Sequence, residues 1–485
     1  MSLESVRAER IKKKELLESR GIAPYPSTTN RTNTIAEIYS KFKVLEKNKK
    51  EVTLAGRVMV RRGQGQILFV DFKDGTGRFQ AVLKQDVIGV DALSFFEEVV
   101  DGGDFVEFTG TIFATGKGQE SILATQWHML AKSLLPLPDK HHGLKNEDER
   151  FRKRYLDILL NDELKELFKR KEQFWASTRS FLKDKGFLEV ETPTLEITTG
   201  GAEAKPFKTH HNDFDTDLFL RISVGELWQK RLMAAGFEKT FEIGRVYRNE
   251  GTSPEHLQEF SNMEFYWAYA DYKDGMRLVH DLYTTLAQEI YGKTKFTYKE
   301  HSFDLEDEWI EIDYVSEVEK QVGVNVISAT EKVMKDKLSE LGVSYEGHNR
   351  ERLTDTLWKY CRKNISGPGF LVNHPKLIAP LSKSQTDNKD ITQMFQPIIA
   401  GSEVGRGYSE LNDPIDQKKR FEMQKKLLEN GDEEAMMTDN EFIEMLEYGI
   451  PPTCGFGFGE RLFSVFENKS LRETQLFPLM RLRQQ

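Results

Sequence analysis

Three stretches of the chain gather residue types that could bind and activate a charged small molecule. From Glu259 to Tyr269 polar and apolar residues alternate, so Phe260, Asn262, Glu264 and Tyr266 fall on one face of an extended strand. An amide, a carboxylate and a phenol in line with an aromatic ring are unusual on a core face, where each polar group would need a partner. They read either as a binding site or as an internal polar network. Phe241 to Arg248 alternates in the same way, and Arg248 and Glu250 stand at the entrance of the polar loop that joins the two strands into a long-looped hairpin. Further on, Glu403 and Glu410 flank Gly405, Gly407 and Tyr408, and Gly455, Gly457 and Gly459 alternate with Phe456 and Phe458 before Glu460-Arg461. Such a glycine-alternating strand leaves one face flat enough for a planar ring. An arginine at its end can stack on that ring or hold a phosphate. Tight sheet packing would account for the glycines equally well. Between Lys185 and Phe207, Pro193 favours an edge or interface strand, and Gly200-Gly201-Ala202 makes a turn that a substrate could approach closely.

These residues need a scaffold, and the hydrophobic patterning describes one. Residues 51–131 hold about five short strands with turns between them, which suggests a small barrel such as an OB-fold. With the aliphatic residues facing its core, Arg57, Phe69 and Gln80 are expected to point outward together. An exposed aromatic beside a cation and an amide suits base stacking and base-edge hydrogen bonding, or simply covers a sheet face. Before the barrel, residues 1–20 read as a charged helix ended by Gly21, either solvated or touching backbone phosphates. Pro136 and Pro138 mark an extended linker. The remainder is one large region with helices expected at 161–185 and 277–291 and more across 316–365.

The bulk properties limit the alternatives. A chain of 485 residues accommodates two to four domains at ~100–200 residues each. Nowhere does it run to ~18 consecutive apolar residues, so no segment is expected to span a membrane. The N-terminal twenty residues lack the apolar stretch of a secretory signal. Two cysteines, Cys361 and Cys454, provide neither a disulfide framework nor a cysteine zinc site, so a reducing cytoplasm is expected. A net charge of -9 argues against nonspecific coating of nucleic acid, though a local basic surface would suffice for a specific partner.

Taken in order, the stretches resemble motifs 1, 2 and 3 of the class II aminoacyl-tRNA synthetases, and their wording is similar to the lysine-specific family. The strings are Gly200-Gly201-Ala202-Glu203-Ala204-Lys205-Pro206-Phe207, Tyr247-Arg248-Asn249-Glu250-Gly251, Met263-Glu264 with Tyr266, and Ser409-Glu410-Leu411-Asn412-Asp413-Pro414. The resemblance implies an α+β protein: an antiparallel class II catalytic sheet with helices, preceded by an OB-fold β-barrel that binds the anticodon. The expected divisions are 1–50 for the N-terminal helix and lead-in, 51–132 for the barrel, 133–150 for a linker and 151–485 for the catalytic domain, with a helical insertion at about 276–375.

The activity it implies is ATP-dependent formation of lysyl-adenylate and transfer of lysine to the 3′ end of tRNA(Lys), by a cytoplasmic homodimer. In that reading Arg248 holds the α-phosphate and the lysine carboxylate, and Glu250 reads the adenine amine. Phe260 and Arg461 sandwich the adenine, and His256 reaches the tail phosphates. Glu226 takes the α-amine. Glu264, Tyr266 and Glu410 surround the side-chain ammonium, with Tyr408 lining the pocket. Mg2+ sits at Glu403 and Glu410, and Arg57, Phe69 and Gln80 read the anticodon.

The chain departs from the family pattern in several places. Gln396 stands where a glutamate usually helps bind magnesium, and Glu255 and Leu257 replace an arginine and an asparagine beside His256. The run Gly455 to Arg461 is one residue short, Ser223-Val224-Gly225-Glu226 is one residue long, and Arg406 replaces a small amide. Three rival readings follow: aspartyl or asparaginyl specificity, a ligase that attaches lysine to a protein, and a noncatalytic tRNA-binding paralogue. Glu264 and Glu410 oppose the first, and the barrel opposes the second.

Overall fold

The computed structural model describes residues 2–138, 144–251, 253, 255–345, 347 and 349–483. It comprises two compact units, Met1–Asn146 and Glu147–Gln485. Residues 139–143 of the expected linker lie outside the described residues.

The first unit is a closed barrel of β1 (Glu51–Gln64), β2 (Ile67–Lys73), β3 (Arg78–Lys84), β4 (Phe105–Ala114) and β5 (Glu120–Ala131), in the order β1-β2-β3-β5-β4. Alternation places Val52, Leu54, Val58, Leu68, Val70, Phe72, Phe79, Ala81 and Leu83 inside, all buried. At Gly110 a Cβ would come within 1.9 Å of the Leu123 carbonyl oxygen, so glycine lets β5 cross where the β4 register shifts. The N-terminal helix Leu3–Ser19 packs on this unit through Arg10, which is buried and donates to Ser133, Leu135 and Gly102. Lys13 pairs with Asp101 at 2.7 Å. Two of its basic residues therefore secure the fold rather than stand free for phosphates.

The second unit is built on a nine-stranded sheet. Its strands are β6 (Leu188–Glu189), β10 (Lys239–Tyr247), β11 (Glu259–Ala268), β14 (Ile310–Asp313), β15 (Gly369–Val372), β16 (Met394–Ile399), β17 (Ser402–Glu403), β18 (Arg406–Ser409) and β19 (Thr453–Gly459). The path runs β14-β15-β16-β18-β19-β11-β10-β6, with β17 on β16, and is antiparallel except at its two ends. The intervening β7 (Leu195–Glu196), β8 (Lys208–His211) and β9 (Thr216–Leu220) form a separate three-stranded sheet, and β12 (Lys295–Tyr298) pairs with β13 (His301–Asp304).

One face of the large sheet is apolar. Phe241, Met263, Phe265, Phe395, Phe456 and Phe458 lie on it and are covered by the helices Asp162–Asp184 and Tyr272–Tyr291. The helix Tyr272–Tyr291 thus belongs to the main core. The helices Tyr314–Val322, Glu331–Glu340 and Arg350–Cys361 instead gather around a core of their own, centred on Tyr314, Leu353 and Trp358. The helices of the expected insertion therefore divide between two cores. Among the described residues no helix is long and apolar enough to cross a membrane.

Candidate active site

The other face of the sheet carries the chemistry. Residues paired across adjacent strands share a face, so register alone assembles rows. Tyr408, Gly455 and Tyr266 form one row, and Arg406, Gly457, Glu264 and Glu242 the next. Gly459, Asn262 and Gly244 form a third, followed by Phe260 beside Val246. The glycines are required by what lies across them. A Cβ on Gly455 would meet Glu410 Oε1 at 2.1 Å and the Tyr266 ring at 2.7 Å, and one on Gly457 would meet Glu264 Cγ at 2.8 Å. The expected flat floor is therefore partly occupied by polar side chains.

Helix Glu226–Ala234 closes the site from above. It starts after Gly225, whose left-handed conformation (φ 66°) lets it abut Thr192. Glu226 lies in the first turn and Lys230 one turn later on the same buried face. Lys230 Nζ donates to Glu226 Oε1 at 2.7 Å and lies 2.5 Å from Glu410 Oε2. Tyr408 donates its hydroxyl to the same Glu226 oxygen. Apart from the ion pair with Lys230, neither oxygen of Glu410 has a polar partner among the described residues.

Glu264 is held differently. Its carboxylate accepts from the Val224 N–H at 2.7 Å, from Asn262 Nδ2 at 3.0 Å and from the Tyr266 hydroxyl at 3.1 Å, all neutral donors. Burial, with Glu226 opposing it, pushes Glu264 up to about 7. Burial likewise raises Glu410 to about 8, against the pull of Lys230. Three buried carboxylates share the one ammonium within contact distance, with Arg248 pulling on Glu264 from farther off, so Lys230 leaves two of the charges unmatched and burial favours protons there.

The structure thus brings together Glu226, Glu264, Tyr266, Tyr408 and Glu410. Glu226, expected to take the substrate's α-amine, already has Lys230 and Tyr408 on its Oε1. Lys230 escaped the reading of the sequence; its spacing of four from Glu226 was the available signal.

Arg248 leaves the end of β10 and donates from Nε and Nη2 to the Ile222 carbonyl at 3.3 Å, with its guanidinium 5.3 Å from the centre of the Phe260 ring. Glu250 lies nearby, its carboxyl raised by burial against the pull of Arg248. Arg461 makes no direct stacking contact with Phe260 among the described residues, as is expected of two groups that would take a ring between them. The strand stops at Gly459, Glu460 is locked by Lys171 and the Ser261 N–H, and Arg461 opens a helix. Its guanidinium donates instead to the carbonyls of Glu403 and Glu255 at 3.3 and 3.2 Å. His256 is exposed in the loop, with Nδ1 2.7 Å from the Ser253 hydroxyl. Arg352, which the sequence did not single out, ties helix Arg350–Cys361 to Asp432 at 3.0 Å, to Glu434 at 3.1 Å and to Glu203 at 3.6 Å.

The expected magnesium ligands do not form a carboxylate cluster. Glu403 accepts from Trp358 Nε1 at 2.7 Å and from Gln396 Nε2 at 3.4 Å, with Arg362 3.7 Å away. Burial alone would raise its carboxyl, but Arg362, Arg406 and Arg461 hold it low. Gln396 Oε1 is engaged by His374, which burial pushes down to about 3 and keeps neutral. Glu410 faces Lys230 instead. Among the described residues no group of three acidic, histidine or cysteine side chains could hold a metal. Donors and cations around Glu403 suit an anion better than a resident Mg2+, which favours carboxylate and phosphate oxygens.

On the barrel, Phe69 is half-buried on the outer face and Gln80 shares that face but is buried, while Arg57 is used by the fold: it donates to the Gly103 carbonyl at 3.0 Å and lies 4.1 Å from the centre of the Phe105 ring. A bulge between Val58 and Val60 shifts β1, so the residue opposite Phe69 is Arg62. Gln80 is 9% exposed and accepts from the Ser121 hydroxyl at 3.0 Å. Beside it, Asp71 pairs with Arg62 at 3.0 Å and Arg78 at 2.9 Å.

Residues 146–481 match the family model of tRNA synthetases class II (D, K and N), and residues 52–133 match the model of the OB-fold nucleic acid binding domain. The chain is similar to the lysine–tRNA ligase of Roseiflexus sp. (strain RS-1), 40% identical over 489 residues and covering 100% of both chains. It is also similar to the lysine–tRNA ligases of Thermosipho africanus (39% identical) and Thermotoga maritima (40% identical), in each case over 99% of this chain and 96% of the relative.

Proposed function

The chain belongs to the class II tRNA synthetases of the D, K and N group, and from that premise we propose that it is a lysine–tRNA ligase. The observation that carries the specificity is the surplus of buried negative charge around Glu264 and Glu410. Lysine brings two ammonium groups, which match the two charges that Lys230 leaves uncompensated. Glu264, whose present donors are all neutral, is the carboxylate best placed to receive an ammonium. Aspartate or asparagine would bring a carboxylate or a neutral amide to the same place, and burying an acid beside acids is costly.

In this reading Arg248 and Arg461 receive the phosphates of ATP. Phe260 supports the adenine, Glu250 accepts its amine, and His256 reaches the tail phosphates. The lysine carboxylate attacks the α-phosphorus, the bond to the β-phosphate oxygen breaks, and pyrophosphate leaves with the electron pair. That step needs alignment and charge neutralisation rather than a protein base. Magnesium enters with ATP as part of the substrate. The terminal hydroxyl of tRNA(Lys) then attacks the lysyl carbonyl and releases AMP. Phe69 stacks an anticodon base, Gln80 hydrogen-bonds its edge, and Arg62 replaces Arg57 as the nearby cation.

A homodimer is part of the proposal. Exposed Leu188, Leu195 and Ile197 around Pro193 support it, because such apolar residues side by side mark interfaces. A cytoplasmic location goes with the activity. The test is charging of bulk tRNA with labelled amino acids in the presence of ATP: lysine should be esterified, and aspartate and asparagine should not. Esterification of aspartate would transfer the chain to a different specificity, and no charging at all would favour a noncatalytic paralogue.

A further inference from the structure

Arg406 is paired across β18 and β19 with Gly457, and Gly457 is paired with Glu264. Its side chain therefore leaves the sheet on the face that carries Glu264 and Tyr408. No side chain on β19 separates it from the amine pocket. Arg406 is exposed, and among the described residues its guanidinium makes neither a hydrogen bond nor an ion pair. Arg248 and Arg461, by contrast, spend donors on carbonyl groups. Arg406 also lies close enough to act on the charges of Glu203, Arg248, Glu403 and Tyr408. Both Arg406 and Arg461 oppose the charge of Arg248. Like charges gathered at one point favour an anion between them. A guanidinium without a hydrogen-bond partner among the described residues has the fork geometry to take two of its oxygens.

We infer that Arg406 is an anion-binding residue of this active site, receiving an anionic oxygen where the amine pocket opens toward Arg248. That oxygen belongs to the amino-acid carboxylate or to the α-phosphate it attacks. The inference rests on the lysine-activation reading and adds to it a residue for the charge that develops between the two reactants. It also accounts for the surroundings of Glu403. Where Gln396, Trp358 and Arg362 surround Glu403 with no second carboxylate, Arg406 adds positive charge from the protein to that of the magnesium that ATP carries in.

The test compares the wild-type chain with Arg406→Gln by calorimetry in EDTA, with ATP against adenosine and with lysine against lysinamide. Loss of a charge-assisted hydrogen bond should weaken ATP or lysine by ~10-fold or more and leave adenosine and lysinamide unchanged. A loss confined to ATP assigns the phosphate, one confined to lysine assigns the carboxylate, and a loss in both assigns both. Arg406→Lys, which keeps the charge without the fork, should recover part of the affinity. Unaltered ATP and lysine binding in Arg406→Gln overturns the inference, as does an equal loss for adenosine and lysinamide. Since the guanidinium makes no hydrogen bond or ion pair among the described residues, both variants should melt close to the wild type. A wild-type chain that binds both substrates but never exchanges pyrophosphate would sink the functional reading and leave this comparison standing.

Discussion

Glu226 and Lys230, one helical turn apart, are joined by a buried hydrogen bond of 2.7 Å, and that bond sets the charge of the whole pocket. Lys230 reaches on to Glu410 but makes no hydrogen bond to Glu264 among the described residues. Lys230 is therefore shared by Glu226 and Glu410, one cation against two carboxylates, while Glu264 has only neutral donors.

Replacing Glu264 with glutamine keeps the shape and removes the charge. The Michaelis constant for lysine should rise by about 1.5–3 kcal/mol, or roughly 10- to 150-fold, with little change for ATP. Steady-state pyrophosphate exchange measures both constants. Wild-type values for lysine would remove Glu264 from the pocket.

The raised carboxyls make lysine binding depend on pH. Burial raises Glu264 to about 7 and Glu410 to about 8, so below that range the cluster carries protons that an incoming ammonium must displace. Lysine affinity should therefore increase as pH rises from 6 to about 8.5 and then level off. The two steps belong to the coupled cluster rather than to either residue. Calorimetry in buffers of different ionisation enthalpy should show proton release on lysine binding at pH 7. An affinity flat across this range would contradict the charge assignment.

Lys230 is the residue whose loss should cost most. Lys230→Met leaves Glu226 and Glu410 buried without their cation, and breaking a buried pair in this way costs about 3–5 kcal/mol. Chemical denaturation should show that loss, and millimolar methylammonium should restore part of it in Lys230→Ala by refilling the site. Wild-type stability in both variants would mean that Lys230 is not the internal counter-ion.

On the barrel, Phe69→Ala should weaken tRNA charging by about 1–3 kcal/mol of lost stacking and leave lysine-dependent pyrophosphate exchange intact. Arg62→Ala should weaken charging more than a solvent-side substitution would. Arg57→Ala should show itself mainly as lost stability, since Arg57 serves Gly103 and Phe105. Kinetic analysis of both steps, with thermal melting, separates these outcomes.

Strand periodicity made much of this site legible before any coordinates. Period-two alternation placed Phe260, Asn262, Glu264 and Tyr266 on one face, and the glycines of β19 on the same face opposite them. What alternation does not contain is a shift in register or a change of element. The bulge at Val58/Val60 puts Arg62 rather than Arg61 opposite Phe69, while Arg57 pairs with Lys73 at the other end of β2. Ending the strand at Gly459 turns Arg461 into the first residue of a helix, which strand alternation does not foresee. Lys230 was hidden for a different reason. A lysine in a charged helix reads as solvated, and only the packing of Glu226–Ala234 onto β11 turns it inward. Arg406 and Gln396 were visible as oddities, but their meaning depends on partners that only three dimensions supply.

The central claim is that two uncompensated carboxylates select a substrate with two amines. Pyrophosphate exchange should be measured with lysine, with norleucine, which keeps the four-carbon side chain and lacks the ε-amine, and with aspartate and asparagine. The account predicts exchange with lysine and at least ~10-fold less with norleucine, from loss of one charge-assisted bond, and none with the two acid-family substrates. Equal exchange with norleucine and lysine, or exchange driven by aspartate, would contradict it.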